Sequence, residues 1–275
     1  MLVTGASRGI GEVLARRLAE LGAAVTVLAR GREAVEHVAA TLPGEGHRAL
    51  ALDVADEAAW QAAADSGELA GVDGLVTAAA VLAPVGPLGS YTPAEFWATM
   101  RVNVLGTLLA VYHCRASLET AGGSVVAFSG GGATSPQPRY DAYATSKAAV
   151  VRLAENLAAE LAGRGVRVNA VSPGFVATGI HAATLDADPG LVGEEHLASV
   201  ERKLEEGGVP VEWGAELTAF LLSDRAAGIT GKLVAAPWDP WDDPAFHQRL
   251  REEPDLATLR RVDGQLFAPV PSGDG

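Results

Sequence analysis

The chain has one cysteine and three lysines in 275 residues, and each shortage removes a class of protein. A lone Cys114 cannot form an internal disulfide, and its setting in LLAVYHCRASL reads as a small core residue of a helix rather than a nucleophile. Lysine occurs only at Lys147, Lys203 and Lys232, and 21 basic residues against 34 acidic ones leave a net charge of -13. Attraction to nucleic acid or an anionic membrane depends on clustered Lys and Arg, so neither is an expected partner. No apolar run reaches the roughly 18 residues that a membrane span needs. The opening MLVTGASRGIG passes from a short apolar strand straight into glycines, without the basic region and long apolar core of a secretory leader. These absences point to a cytoplasmic protein that works on a small molecule.

What the chain does have is 48% hydrophobic residues in a regular alternation. Ile10, Val13, Leu14, Leu18 and Leu21 share one helical face, Gly22 stops that helix, and the β-branched AAVTVLA follows. Helices are expected at 32–42, from about Asp56, opened by TPAEF, at 143–162 and over VEWGAELTAFLLS. Strands are expected at RALALD, DGLVTA, SVVAF, VRVNAV and KLVAA. In TPAEF, Thr92 caps, Pro93 takes the first helical position and Glu95 completes a capping box. Strands separated by helices predict an α/β fold: one doubly wound, Rossmann-like parallel sheet of about seven strands, covered on both faces. This domain is expected to span 1–235. Residues 178–208, with DADPG and EEGG, read as an inserted helical flap. Residues 236–275, rich in Pro, Asp and Trp, read as an extension that packs on the domain and ends in a loose tip.

The first strand-to-helix turn reads TGASRGIG, with Gly5, Gly9 and Gly11. Glycines there let the backbone approach a pyrophosphate, and the helix N-terminus offers free N–H groups and a partial positive charge. In this α/β context the motif predicts a dinucleotide. The second strand ends in LARGR, with Ala29 where an acid would bind the ribose diol of NAD. Arg30 follows, and Arg8 lies inside the glycine loop. A guanidinium pairs with phosphate through a fork of N–H donors, so NADP(H) is expected over NAD(H).

Tyr143 and Lys147 are four positions apart and share a helical face. A phenol of ordinary pKa near 10 becomes useful at neutral pH when a nearby cation stabilises its phenolate. Tyr140 has only Ala144 at that spacing.

With TGASRGIG, LDV at Asp53–Val54, RVNVLG around Asn103, YATSK and VRVNAVSPGFVAT, residues 1–235 resemble the classical short-chain dehydrogenase/reductase family. The resemblance implies an oxidoreductase that interconverts a carbonyl and an alcohol. Tyr143 would exchange the proton with the substrate oxygen, and Lys147 would lower its pKa and hold the nicotinamide ribose. Asn103 would carry the water that links Lys147 to solvent. Gly5, Ser7, Arg8, Gly9, Ile10 and Gly11 would face the phosphates and Asp53 and Val54 the adenine. Ala79 lies in the turn beside the cofactor. Pro173, Gly174, Val176 and Thr178 belong to the loop at the nicotinamide end. Relatives commonly pair the helices at about 93–118 and 143–162, which implies a homodimer or homotetramer.

The chain departs from the family at three places. Thr77, Ala78, Ala79 and Ala80 replace Asn-Asn-Ala-Gly. Gly130 stands thirteen residues before Tyr143, where the family's substrate-binding serine is usual. The end of the last strand becomes APWDPWDD and a long tail. Ser129 is the expected replacement donor, because the SGGG run gives its backbone freedom to swing a neighbouring hydroxyl. Thr134, Ser135 or a glycine N–H stand in reserve. His181 and His196 read as partly exposed flap residues without metal-ligand spacing, and Trp238 and Trp241 as packing anchors. Two rival functions remain at this level: a redox-silent nucleotide-binding relative, and a lyase or isomerase that uses Tyr143 without net hydride exchange.

Overall fold

The structure, a computed structural model, describes residues 1–260. Seven parallel strands lie in the order β3-β2-β1-β4-β5-β6-β7. They are β1 (Leu2–Thr4), β2 (Thr26–Ala29), β3 (Arg48–Ala51), β4 (Gly74–Thr77), β5 (Ser124–Phe128), β6 (Arg167–Ser172) and β7 (Leu233–Ala235). Among the described residues the helices are α1 (Gly9–Glu20), α2 (Arg32–Thr41), α3 (Glu57–Asp65), α4 (Pro93–Met100), α5 (Gly106–Ala121), α6 (Asp141–Leu161), α7 (Ala182–Leu185), α8 (Pro189–Val192), α9 (Glu194–Glu205), α10 (Val211–Leu222) and α11 (Pro244–Glu252). This is the doubly wound Rossmann-like sheet expected from the alternation.

The strands are short, and successive residues feed opposite layers. Val3, Val27, Val76, Val126 and Val171 pack with Leu14 and Leu18 of α1 and Leu217 and Leu221 of α10. Their neighbours Leu2, Leu28, Leu75, Val125 and Ala170 pack with Leu109 and Cys114 of α5 and Val151 of α6. Period-two alternation of apolar residues buried on both faces is what a helix-covered parallel sheet demands. Strand order reverses between β2-β1 and β4-β5, and the crevice at that point, beyond the carboxyl ends of the strands, is where open α/β sheets take ligands.

Thr92 and Glu95 form the capping box read from the sequence. The helix they start is not continuous, because residues 101–105 form a π-helical turn before α5. That turn carries Asn103, 1% exposed, into the interior. Such single turns recur at functional sites because they re-aim one side chain within an otherwise regular helix.

Beyond β7 the chain returns over the sheet. Leu233 donates its N–H to the Ala257 carbonyl at 2.7 Å, which covers the edge of β7. The Lys232 ammonium is held by the carbonyls of Glu253, Pro254 and Leu256 at 2.7, 3.0 and 2.9 Å. Phe246 and Leu250 of α11 are buried in the layer formed with α10, and His247 stacks on Phe220 with centroids 4.3 Å apart. Residues 261–275, where the sequence predicts a loose tip, lie outside the described residues. Among the described residues no helix is long and apolar enough to cross a membrane, and no group of three metal-ligating side chains gathers.

Candidate active site

Two adjoining clefts open at the carboxyl ends of the central strands. The first, of about 660 Å³, is framed by the β1–α1 turn. Gly5 has φ +69, and a Cβ there would fall 2.6 Å from the Ala79 Cα, so only glycine lets this turn pass beneath the β4 turn. Arg8 precedes α1 in extended conformation and places no side-chain cap on it. The first-turn N–H groups therefore remain available to an anion.

Gly5, Ser7, Arg8, Gly9, Ile10 and Gly11 line this cleft, as do Arg30, Asp53, Val54, Ala79 and Thr178. Arg8 and Arg30 are exposed and make no ion pair among the described residues. An uncapped helix N-terminus and a turn that only glycine permits fit the phosphates of a dinucleotide, and two unpaired guanidinium groups stand beside them. The Thr77–Ala80 turn keeps its place without the family's asparagines: Thr4 Oγ1 accepts from the Ala79 N–H at 3.2 Å, and Asn103 grips Val81.

The second cleft, of about 490 Å³, shares Ile10, Ala78, Ala80, Thr178 and Ile180 with the first, so the two are continuous. Ser129, Tyr143 and Lys147 line it, with Pro173, Gly174 and Val176. The start of α6 supplies Tyr143 and Lys147 from one face. Lys147 is buried, donates to the Phe128 carbonyl at 2.8 Å, and sits 5.6 Å from the centre of the Tyr143 ring. Burial pushes the Tyr143 phenol up to about 12 and the Lys147 ammonium down to about 8. Both shifts favour the neutral form, as desolvation does. Burial thus keeps the proton on the Tyr143 phenol, and Lys147 is the cation placed beside it on the same helical face.

Asn103 lines neither cleft. Its amide is spent on the Val81 N–H and carbonyl and on Ser146 Oγ, each at 2.9 Å. The side chain therefore fixes the loop between the clefts and the start of α6, and its main-chain carbonyl accepts from Thr107 Oγ1 at 2.9 Å.

Gly130 explains itself in space. A Cβ there would lie 2.4 Å from Tyr143 Oη and 3.3 Å from its Cζ. The phenol occupies the volume that a serine side chain would need. Ser129 beside it is 3% exposed, and its Oγ is buried with no hydrogen-bond partner.

Sequence reasoning missed several residues of the second cleft. Gln137 lies along the glycine run, its Oε1 3.0 Å from where a Cβ would stand on Gly131 or Gly132, and that oxygen is buried and unpartnered. Tyr140, Thr184, His181, His196, Lys203 and Trp238 also line the cleft. Trp238 is 72% exposed at the rim, whereas Trp241 packs as expected, donating to the Ala236 carbonyl at 3.1 Å. No spacing in the sequence announces His181, Thr184, His196 and Lys203, because the loop and helices of 178–208 bring them to the cleft from a distance.

A family model described as enoyl-(acyl carrier protein) reductase matches residues 5–236. The chain is 37% identical over 240 residues to a D-threitol dehydrogenase of Mycolicibacterium smegmatis, covering 84% of this chain and 88% of the relative. It is 33% identical over 240 residues to a cis-4-hydroxycyclohexanecarboxylate dehydrogenase of Sinomonas cyclohexanicum, covering 85% and 93%. A gluconate 5-dehydrogenase from Burkholderia cenocepacia, solved with NADP and tartrate, superposes with a TM-score of 0.75 at 27% identity, covering 85% of this chain and 91% of that one.

Proposed function

The chain belongs to the classical short-chain dehydrogenase/reductase family, and on that premise we propose that it is an NADP(H)-dependent oxidoreductase that interconverts a carbonyl and an alcohol on a small molecule. The observation that carries the reading is the Tyr143–Lys147 pair lining a ligand-sized cleft that is continuous with a dinucleotide-shaped one. Relatives named as dehydrogenases of threitol and of a hydroxycyclohexanecarboxylate support the same reaction class.

When bound, the nicotinamide supplies or accepts the hydride. The chain's own part is to orient the substrate and handle the proton. In the reducing direction Tyr143 gives the Oη proton to the substrate oxygen as negative charge develops there. Lys147 holds a cationic end close enough to stabilise the phenolate that remains, and Asn103 keeps the Val81 loop and α6 in register. Ser129, whose Oγ has no partner, is the donor proposed for the substrate oxygen, with Thr134, Ser135 and the glycine N–H groups as its reserves. Arg8 and Arg30 would take the 2′-phosphate, and the open first turn of α1 the pyrophosphate. A buried, unpaired Cys114 suits a reducing cytoplasm. Exposed Trp97, Leu108 and Tyr112 on α4 and α5, at 61, 39 and 63%, supply an apolar face for pairing of two copies.

The test is consumption of NADPH in the presence of a panel of ketones and aldehydes, with Tyr143→Phe and Ser129→Ala in parallel. Loss of turnover by about 10²–10³ in Ser129→Ala, with NADPH binding intact, is the signature of a lost oxyanion donor. Tyr143→Phe is expected to fall at least as far. Full turnover in Ser129→Ala passes the role to its neighbours, and full turnover in Tyr143→Phe overturns the mechanism.

A further inference from the structure

The chamber beyond Tyr143 reverses the charge of the protein around it. In a chain with 34 acidic and 21 basic residues, no aspartate or glutamate among the described residues lines this cleft, whereas Lys147, Lys203, His181 and His196 do. Lys147 is committed to the Phe128 carbonyl, so the available charge is Lys203. Its ammonium makes no hydrogen bond or ion pair among the described residues, and sits over the Phe175 ring, 5.4 Å from the centroid. His181 stacks on the same ring at 4.2 Å, so Phe175 brings the two together. His196 meets Tyr140 Oη at 3.0 Å, and Tyr140 meets Thr184 Oγ1 at 3.1 Å, which ties α9 and α7 to the start of α6.

Among the described residues that line the cleft, the titratable ones are cationic or neutral. His181 and His196 are held below the usual imidazole range by burial and then by the Lys203 charge, with Arg139 adding to the effect on His196. An unpaired ammonium beside two imidazoles that can donate hydrogen bonds is stabilised by an arriving anion. A neutral polyol would gain nothing from that arrangement. One permanent charge flanked by two neutral imidazoles matches one negative charge, rather than the dianion of a phosphate ester. Leu82, Ile180, Val200 and Trp238 leave the rest of the wall largely apolar.

We propose that the substrate of this cleft carries a carboxylate, anchored by Lys203 with His181 and His196 while its carbonyl or carbinol carbon lies at Tyr143. The proposal rests on the oxidoreductase reading for the second half of that sentence only. Lys203 is thus a specificity-determining residue contributed by α9.

The probes are 4-oxocyclohexanecarboxylate, its methyl ester and dihydroxyacetone phosphate, each reduced with NADPH, and cyclohexanecarboxylate as a non-reactive ligand followed by calorimetry. Wild type should show a KM for the acid at least about tenfold below that for the ester, the worth of one charge-assisted hydrogen bond. Lys203→Met should erase that difference by raising the KM for the acid alone, with kcat unchanged, and Lys203→Arg should restore it. Cyclohexanecarboxylate should bind wild type and lose at least about tenfold in affinity with Lys203→Met, by the same bond. Lys203 is exposed and unpaired, so the variants should fold. An ester used as well as the acid, an equal loss on both in Lys203→Met, or a preference for the phosphate ester overturns the proposal. If no ketone is reduced the oxidoreductase reading falls, and calorimetry still decides the anion site: binding that depends on Lys203 sustains it, and no binding to wild type removes it.

Discussion

Restoring the family's serine should damage this enzyme. Gly130→Ser places a Cβ 2.4 Å from Tyr143 Oη, where real Cβ atoms keep at least 3.0 Å, and the Lys147 Cγ lies at 3.7 Å on the same side. The backbone at Gly130 is not in the left-handed region, so the cost falls on the contact and not on φ. The phenol must retreat by at least about 0.6 Å before the serine Oγ itself is accommodated. A displacement near 1 Å at a reacting group costs on the order of 10²-fold in rate. Overpacking of this kind lowers stability by about 1–3 kcal/mol. The expectation is a kcat about 10² below wild type for Gly130→Ser and for Gly130→Ala, measured as NADPH oxidation at saturating ketone, with NADPH affinity preserved because the first cleft is untouched. The alanine variant separates crowding from the hydroxyl, since it brings the same Cβ. A Gly130→Ser enzyme that matches or exceeds wild type would refute the claim that the tyrosine hydroxyl fills the serine's place.

Three other outcomes test separate links. Arg8→Ala and Arg30→Ala should each weaken NADPH binding by at least about tenfold, given about 1.5–3 kcal/mol per hydrogen bond to a charged group, and leave NADH unchanged in fluorescence titration at low salt; equal effects on both cofactors contradict the phosphate assignment. Burial holds the Lys147 ammonium down at about 8 against the ordinary 10.5 of a free lysine, so the unfolded chain holds more protons between those values and stability rises with pH through that window. Compared with Lys147→Met, the cofactor-free wild type should therefore gain about 2 kcal/mol in denaturant melts from pH 8 to 10, and a constant difference would show that burial does not discharge the lysine. Light scattering at micromolar concentration should give a dimer or tetramer, and Trp97→Lys with Tyr112→Lys should give a monomer; a monomeric wild type ends the pairing proposal.

The parts of this molecule that could be read from its sequence are those encoded locally. Alternating strands and helices, the capping box at Thr92 and Glu95, and the glycine turn at Gly5 follow from short-range periodicity and backbone sterics, and the sheet appears with the strand count they imply. The π-helical turn at 101–105 was not legible, because helix propensity does not distinguish one extra residue in a turn from a regular helix. The second cleft was half legible. Tyr143 and Lys147 declare themselves by helical spacing. Lys203, His196 and Gln137 do not, since their meeting depends on how residues 178–208 and the glycine run fold over α6. His181 and His196 are partly exposed flap residues, as the sequence suggests, but that they line this cleft depends on their neighbours and not on their spacing.

Net hydride transfer at Tyr143 is the central claim, and deuterium can follow it directly. Wild-type protein is incubated with NADPH deuterated at the transferable C4 position and a reducible keto acid, and the alcohol is analysed by mass spectrometry. One deuterium per NADPH consumed, in product formed by wild type and not by Tyr143→Phe, is the predicted result. Product formed without consumption of NADPH, or without deuterium, would place the proton chemistry of Tyr143 in a lyase or isomerase and contradict the account.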